Sequence, residues 1–149
     1  MEDKQKNKTG EYFRNNCWWW RPLATYVLEN IDLPEKQQDW FMNNGCKVSK
    51  VSAEKIAKRI KELIDSGEAK KYEIQYKKEI NALEKINCNI CEGTGKRKNA
   101  PEIGAGKIKC NGCNGTGKTD PWPKSYPFSV ENLKEFMEFA ESSGGFEIC

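Results

Sequence analysis

The sequence contains no histidine among its 149 residues. This absence removes the usual general base, and with it any serine–histidine or cysteine–histidine pair for nucleophilic catalysis. Long apolar runs are missing as well, because no stretch approaches the roughly 18 residues that a membrane-spanning helix needs. The first residues, MEDKQKNKTG, lack the apolar stretch of a signal peptide. We therefore expect a cytoplasmic protein with no membrane contact.

Charge of one sign is not in large excess either, because 25 lysines and arginines stand against 22 aspartates and glutamates. The resulting net charge of +3 does not by itself indicate nucleic-acid binding. A hydrophobic content of 37%, with five tryptophans and six phenylalanines, is instead typical of a globular protein with one modest core.

The chain does contain seven cysteines, and four of them lie in two matching segments. CNICEGTGK at 88–96 recurs almost unchanged as CNGCNGTGK at 110–118. The spacing C-x2-C-x18-C-x2-C is typical of four-thiolate zinc sites. The glycines after each pair favour tight turns that direct both sulfurs at one ion. The sequence therefore predicts a hairpin at 88–118 that binds one structural Zn²⁺ per chain through Cys88, Cys91, Cys110 and Cys113.

Two other interpretations of these cysteines remain open. A catalytic zinc normally keeps one coordination position open, whereas four thiolates close the tetrahedron. Paired CxxC motifs also occur in redox proteins, but there they usually begin a helix, which the glycines here disfavour. Cys17, Cys46 and Cys149 lie outside any motif, and we expect them to be structural or terminal thiols.

Each copy resembles the C-x-x-C-x-G-x-G repeat of the cysteine-rich zinc domain of the DnaJ (Hsp40) chaperones. The glycines that complete the match are Gly93 and Gly95 in the first copy and Gly115 and Gly117 in the second. This resemblance implies a similar zinc turn. It does not extend to co-chaperone activity, because the His-Pro-Asp motif of that family requires a histidine.

The whole chain also resembles an uncharacterised group of small bacterial and phage zinc proteins. Members of that group combine such twin cysteine motifs with segments like YFRNNCWWWRPL and YPFSVENLKEFMEFAESSGGFEIC, residues 12–23 and 126–149. The resemblance implies a shared architecture and no particular function.

Helix signals precede the hairpin. Pro22 suits the first turn of a helix that ends near Asn30. Pro34 suits the start of a second, short helix that holds Trp40. Ser52 is a candidate N-cap for a third helix, whose apolar residues recur at helical spacing until 64.

Further helix signals flank the hairpin on both sides. A helix from about Glu68 to Ile86 is expected to lead straight into Cys88. After a proline-rich linker, Ser129 is the candidate N-cap of a last helix that ends at Gly144, before a short C-terminal strand. We expect a mainly α protein with a small β zinc hairpin, divided into a mobile N-terminus (1–10), a helical core (11–87), the hairpin (88–118), and a linker with a C-terminal helix packed on the core (119–149).

Two segments are candidate partner-binding surfaces. Three consecutive tryptophans cannot share one face, so at least one should be exposed, and an extended segment would expose Trp19. The alternative is that the tryptophans pack the core. The loop between the cysteine pairs is basic and could contact phosphate, or its lysines could compensate the charge of the zinc thiolates. The candidate residues are Trp18, Trp19, Trp20, Arg21, Lys96, Arg97, Lys98, Lys107 and Lys109.

These features favour a non-catalytic, zinc-stabilised adaptor or inhibitor that binds another protein. A phage-encoded inhibitor of a host system would fit the size of the chain. The alternative is a nucleic-acid-binding module that uses the basic loop, and an enzyme of unfamiliar type is a third interpretation.

Overall fold

The computed structural model describes residues 10–149. This part of the chain contains four α-helices and three two-stranded antiparallel sheets, which confirms the expected mainly α class with a small β hairpin. The predicted mobile N-terminus at 1–10 lies, apart from Gly10, outside the described residues. The elements are α1 (Cys17–Asn30), β1 (Cys46–Val48), α2 (Lys50–Asp65), α3 (Glu68–Asn81), β2 (Ile86–Asn87), β3 (Lys96–Arg97), β4 (Ile108–Lys109), β5 (Lys118–Thr119), α4 (Val130–Ser143) and β6 (Phe146–Ile148).

The described residues form two units. The first, called here the helical unit, runs up to Lys78 and resumes at Tyr126–Cys149, and the second, the cysteine unit, is Glu79–Ser125. The helical unit buries a cluster of apolar side chains, whereas the buried cluster of the cysteine unit consists of four cysteines. Each unit therefore has its own source of stability.

Helices α2 and α4 pack against each other at the centre of the helical unit. Ile56, Ile60 and Leu63 recur along one face of α2 and are fully buried, as the spacing predicts. Leu133 and Phe136 are buried on α4. Burial of each such side chain contributes roughly 1.5–3 kcal/mol, so this face accounts for much of the stability of the unit.

The two ends of α4 are the ones that the sequence predicts. Ser129 caps the helix by accepting a hydrogen bond from the amide of Asn132 at 3.1 Å. Gly144 ends it in the left-handed region, at a φ of 71°. The expected C-terminal strand is also confirmed, because β6 pairs with β1, with Glu147 opposite Lys47.

Helix α1 begins earlier than predicted. Pro22 lies inside the helix and not in its first turn, because Asn16 caps the helix by accepting a hydrogen bond from the amide of Trp19 at 3.1 Å. The tryptophan run is therefore helical. Successive side chains point in directions about 100° apart around the helix axis, and they do not alternate between two faces as on a strand.

The start of α2 and the short helix before it also differ from prediction. Ser49 and not Ser52 is the N-cap, and the amide of Ser52 donates to the Ser49 hydroxyl at 3.2 Å. The segment after Pro34 forms a 3-10 turn at Gln37–Phe41, which buries Trp40. The proline-rich linker is not wholly extended, since it too contains a 3-10 turn, at Trp122–Ser125.

Helix α3 ends at Asn81, so the prediction that it runs to Ile86 and into Cys88 is wrong. Ile86 and Asn87 form β2 instead, and β2 pairs with β5. The residues at 82–85 are good helix formers, but strand pairing next to the cysteine cluster outweighs that local preference. No helix in residues 10–149 is long and apolar enough to cross a membrane.

Candidate metal centre

The structure brings the four predicted cysteines together. Their sulfur atoms all lie within 4.8 Å of one another, and all four residues are buried. The Sγ atoms of Cys88 and Cys110 are 3.9 Å apart, and those of Cys91 and Cys113 are 3.8 Å apart. This group could hold one metal ion with four sulfur ligands.

Backbone amides support the sulfurs from within each copy. The amide of Gly95 donates to Cys91 Sγ at 3.3 Å. At the matching position, the amide of Gly117 donates to Cys113 Sγ at 3.2 Å. Hydrogen bonds to sulfur stabilise the thiolate form, which is the form that binds a metal.

The same contacts shift the acidity of the thiols. Burial raises the pKa of Cys113, but hydrogen bonds, first from the Gly117 amide and then from neighbouring thiols, lower it to about 6. Burial also raises the pKa of Cys91, but hydrogen bonds from the Gly95 amide, from Cys88 and from the Gly93 amide together bring it below its ordinary value. Burial raises the pKa of Cys110.

The cysteine unit has an internal two-fold repeat with an offset of 22 residues, from Cys88 to Cys110. The strand before the first copy, β2, pairs with the strand after the second, β5. The strand after the first copy, β3, pairs with the strand before the second, β4. The repeat can be seen in the sequence, because KINCNICEGTGK at 85–96 and KIKCNGCNGTGK at 107–118 match each other beyond the cysteine pairs and include the strand residues on both sides.

Two glycines allow the copies to touch. A Cβ on Gly95 would lie 2.4 Å from the carbonyl oxygen of Gly115, and a Cβ on Gly117 would lie 2.4 Å from that of Gly93. Both Gly95 and Gly117 also have a positive φ, at 80° and 77°. Any side chain at these positions would therefore force the copies apart and change the distances between the sulfurs.

Replacing Gly95 by alanine is expected to weaken metal binding by roughly 10–100-fold, the usual cost of disturbing groups that orient ligands. Gly67→Ala is the matched control, because Gly67 has a similar φ of 81° but no atom within 4 Å of an added Cβ. The control should lose about 1–2 kcal/mol of stability from backbone strain and no metal affinity. Competition with a chelator measures the affinities, and equal values for the two variants would contradict this role of Gly95.

The basic residues of the loop between the copies are placed differently from one another. Lys96, Lys98, Lys107 and Lys109 are exposed. The Arg97 guanidinium, in contrast, is held by Asn111 Oδ1 at 2.8 Å and by the backbone oxygens of residues 98 and 102 at 3.0 and 3.2 Å. Arg97 therefore connects the loop to the second copy, and each of its three side-chain nitrogens donates a hydrogen bond within the protein.

The tryptophan run is divided between core and surface. Trp20 stacks on Trp40 with ring centroids 5.8 Å apart, and its Nε1 donates to the Trp40 carbonyl at 2.7 Å. Trp18 is half-buried against Tyr126, with centroids 5.0 Å apart. Trp19 is 36% exposed. The expected exposure of Trp19 is thus found, although it arises from a helix and not from an extended strand.

A cavity of about 790 Å³ in the helical unit was not predicted. Its walls come from segments far apart in the sequence: the residues before α1, the turn at Gln37–Phe41, and the end of α4 with β6. Paired amides of Asn15 and Asn132, 2.8 and 3.0 Å apart, hold the first of these walls against α4. Tyr12, Arg14, Trp20, Arg21 and Met42 are among the residues that line this groove.

Comparison of the chain with protein-family models, curated proteins and solved structures finds no match. The likeness to the DnaJ zinc domain therefore stays a prediction that rests on the cysteines and glycines of the two copies. Any functional assignment must come from the geometry of the chain itself.

Proposed function

We propose that the four cysteines hold one zinc ion. A zinc–sulfur bond of about 2.3 Å places the sulfurs of a regular tetrahedron about 3.8 Å apart. The two sulfur pairs at 3.9 and 3.8 Å match that edge. A set of four sulfur ligands favours zinc over hard cations such as Mg²⁺ and Ca²⁺, which prefer oxygen.

The role of this zinc is structural. Four protein thiolates complete the tetrahedron, so no position remains for a water or a substrate. Apart from the cysteines, the unit buries few apolar side chains, with Ile90 partly buried against the cluster. Because structural zinc contributes roughly 10–16 kcal/mol of apparent binding energy in small peptides, the ion can order residues that have no apolar core. Thiols remain reduced in the cytoplasm, which is the compartment that we propose.

We infer that the protein is a non-catalytic adaptor or inhibitor that binds a segment of another protein in the groove of the helical unit. The groove itself is the observation that most supports this proposal. Its volume of about 790 Å³ lies within the range of roughly 300–1,000 Å³ that is usual for binding sites. A phage-encoded protein that acts on a host system is one setting in which such a binder would function.

The residues at the edge of the groove support a protein partner. Tyr12 and Met42 are 75% and 56% exposed, and both line the groove. Arg14 and Arg21 are exposed beside them. Tyrosine, methionine and arginine are enriched at protein interfaces, where an apolar anchor inserted into a pocket provides most of the binding energy. Of the four residues at 18–21 predicted to bind a partner, Trp20 and Arg21 line this groove.

The test is a comparison of Met42→Glu with Ile74→Glu. Ile74 is exposed to a similar extent, 60%, but does not line the groove, so both variants add the same charge at an exposed apolar position. Each protein is immobilised and exposed to lysate of cells in which it naturally occurs. A true partner should be retained by the wild type and by Ile74→Glu, and reduced at least about tenfold by Met42→Glu. If no protein shows this pattern while both variants melt like the wild type, the groove is not the binding site.

A further inference from the structure

The two ribbons of the cysteine unit differ in charge. The ribbon formed by β3 and β4, with the residues flanking it, covers 96–98 and 107–109 and contains five cationic residues and no acid. We call it the basic ribbon. The equivalent ribbon formed by β2 and β5 covers 118–120 and 85–87 and contains two lysines and one aspartate. Two ribbons with equivalent strand pairing thus carry different charges.

The clearest difference is one pair of opposed side chains. Lys96 lies directly opposite Lys109 in the basic ribbon, so both side chains leave the same face. In the other ribbon, the matching positions hold Lys118 and Asn87, and Lys118 Nζ donates to Asn87 Oδ1 at 2.5 Å. Like charges directly opposite each other destabilise a strand pair. The basic ribbon therefore keeps an arrangement that does not favour its own folding.

The second ribbon contains one acidic residue, which pairs with a lysine just outside the ribbon, whereas the basic ribbon contains no acid. Asp120 forms an ion pair with Lys124, with 3.5 Å between Oδ1 and Nζ. Among the described residues, none of Lys96, Lys107 and Lys109 forms an ion pair within 4.0 Å. All three are exposed. Their charges are therefore available to an external anion.

Compensation of the metal centre does not explain this asymmetry. Four thiolates and one Zn²⁺ would carry a net charge of −2 at the centre of the two-fold repeat. The copies supply equivalent sulfurs and equivalent amide donors, so the negative charge of the centre acts equally on both ribbons. A purely compensating set of lysines would be shared between the ribbons and not concentrated on one of them.

We propose that the basic ribbon binds the phosphate backbone of nucleic acid, without regard to base sequence. Exposed lysines, of which Lys96 and Lys109 leave the same face, match a repeating anion and supply charge without base recognition. This surface belongs to the cysteine unit and is distinct from the groove of the helical unit, so the inference does not depend on the proposed protein partner. Arg97 positions the ribbon, and the lysines contact the phosphates.

The two-fold repeat provides a matched pair of variants. Lys96→Gln with Lys107→Gln removes two charges from the basic ribbon, and Lys118→Gln with Lys85→Gln removes two charges at the equivalent positions of the other ribbon. A third variant, Lys98→Gln with Lys109→Gln, tests the basic ribbon again in case the first folds poorly. The zinc-loaded full chain is titrated into a short duplex DNA of mixed sequence and into its single strand, at several salt concentrations.

The basic-ribbon variants should bind more weakly than the wild type, and their salt dependence on duplex DNA should be shallower by about 1.8, because each lost phosphate contact removes about 0.9 from the slope. The matched variant should keep the slope of the wild type. All variants should retain zinc. Absence of wild-type binding at low salt would overturn the proposal, and so would equal loss in both ribbons. Loss of zinc in the basic-ribbon variants with unchanged DNA binding would assign these lysines to the metal centre instead.

Discussion

The variant Cys113→Ser is expected to purify without bound zinc and with residues 88–118 unfolded. Serine cannot replace the thiolate, so three ligands remain and the tetrahedron is open. The buried cluster of the cysteine unit consists of the four ligands themselves, and its strands are two residues long. If the site holds zinc as proposed, the ion is the main source of order in this unit, and losing it removes most of the roughly 10–16 kcal/mol that such an ion contributes.

The helical unit should survive this change, because its buried apolar cluster contains none of the four ligands. Far-ultraviolet circular dichroism is expected to retain most of its helical signal, while the amide resonances of residues 88–118 collapse into the range of unfolded chains. Cys17→Ser is the control, since Cys17 is an exposed thiol outside the cluster. Full zinc content in Cys113→Ser would show that Cys113 is not a required ligand. Loss of all helical signal would show that the two units do not have separate sources of stability.

Trp20→Ala is expected to destabilise the helical unit by roughly 3–5 kcal/mol, which is the usual cost of removing a large aromatic side chain from a core. Trp20 stacks on Trp40 and meets the edge of Phe136 at 5.6 Å. Its indole also donates the hydrogen bond to the Trp40 carbonyl, so truncation removes packing and leaves a polar group without its partner.

The neighbouring tryptophans provide controls within the same helix. Trp19→Ala should change stability by less than about 1 kcal/mol, because its side chain is partly exposed. Trp18→Ala should fall between the two, since Trp18 is half-buried against Tyr126. Urea unfolding of the three variants at a fixed zinc concentration measures the differences. Equal losses of stability in all three variants would mean that Trp18, Trp19 and Trp20 contribute equally to the core, which contradicts the burial described here.

The parts of the fold that the sequence predicts correctly are those fixed by neighbouring residues. Ser129 and Gly144 bound α4 because a cap and a left-handed glycine act within one turn of the chain. The four cysteines are predictable for the same reason, since the spacing within each pair determines how two sulfurs turn toward one ion.

The errors arise where a distant residue decides between local alternatives. Ser49 and Ser52 are both good caps, and Glu35 selects the earlier start by accepting hydrogen bonds from the Ser49 amide at 3.2 Å and the Ser52 hydroxyl at 3.0 Å. Helix α3 stops early because Ile86 pairs with Thr119. The groove was missed because its walls meet only after the segment before α1 has packed against α4. Periodicity within one segment carries no information about such contacts.

The metal content of the intact chain tests the central claim most directly. Native mass spectrometry, with elemental analysis of the same sample, should find one zinc per chain and its quantitative loss on chelation. The assignment of Cys88, Cys91, Cys110 and Cys113 as the ligands of a single closed site requires this stoichiometry. A protein that is fully folded without metal, or that binds two zinc ions per chain, would contradict it.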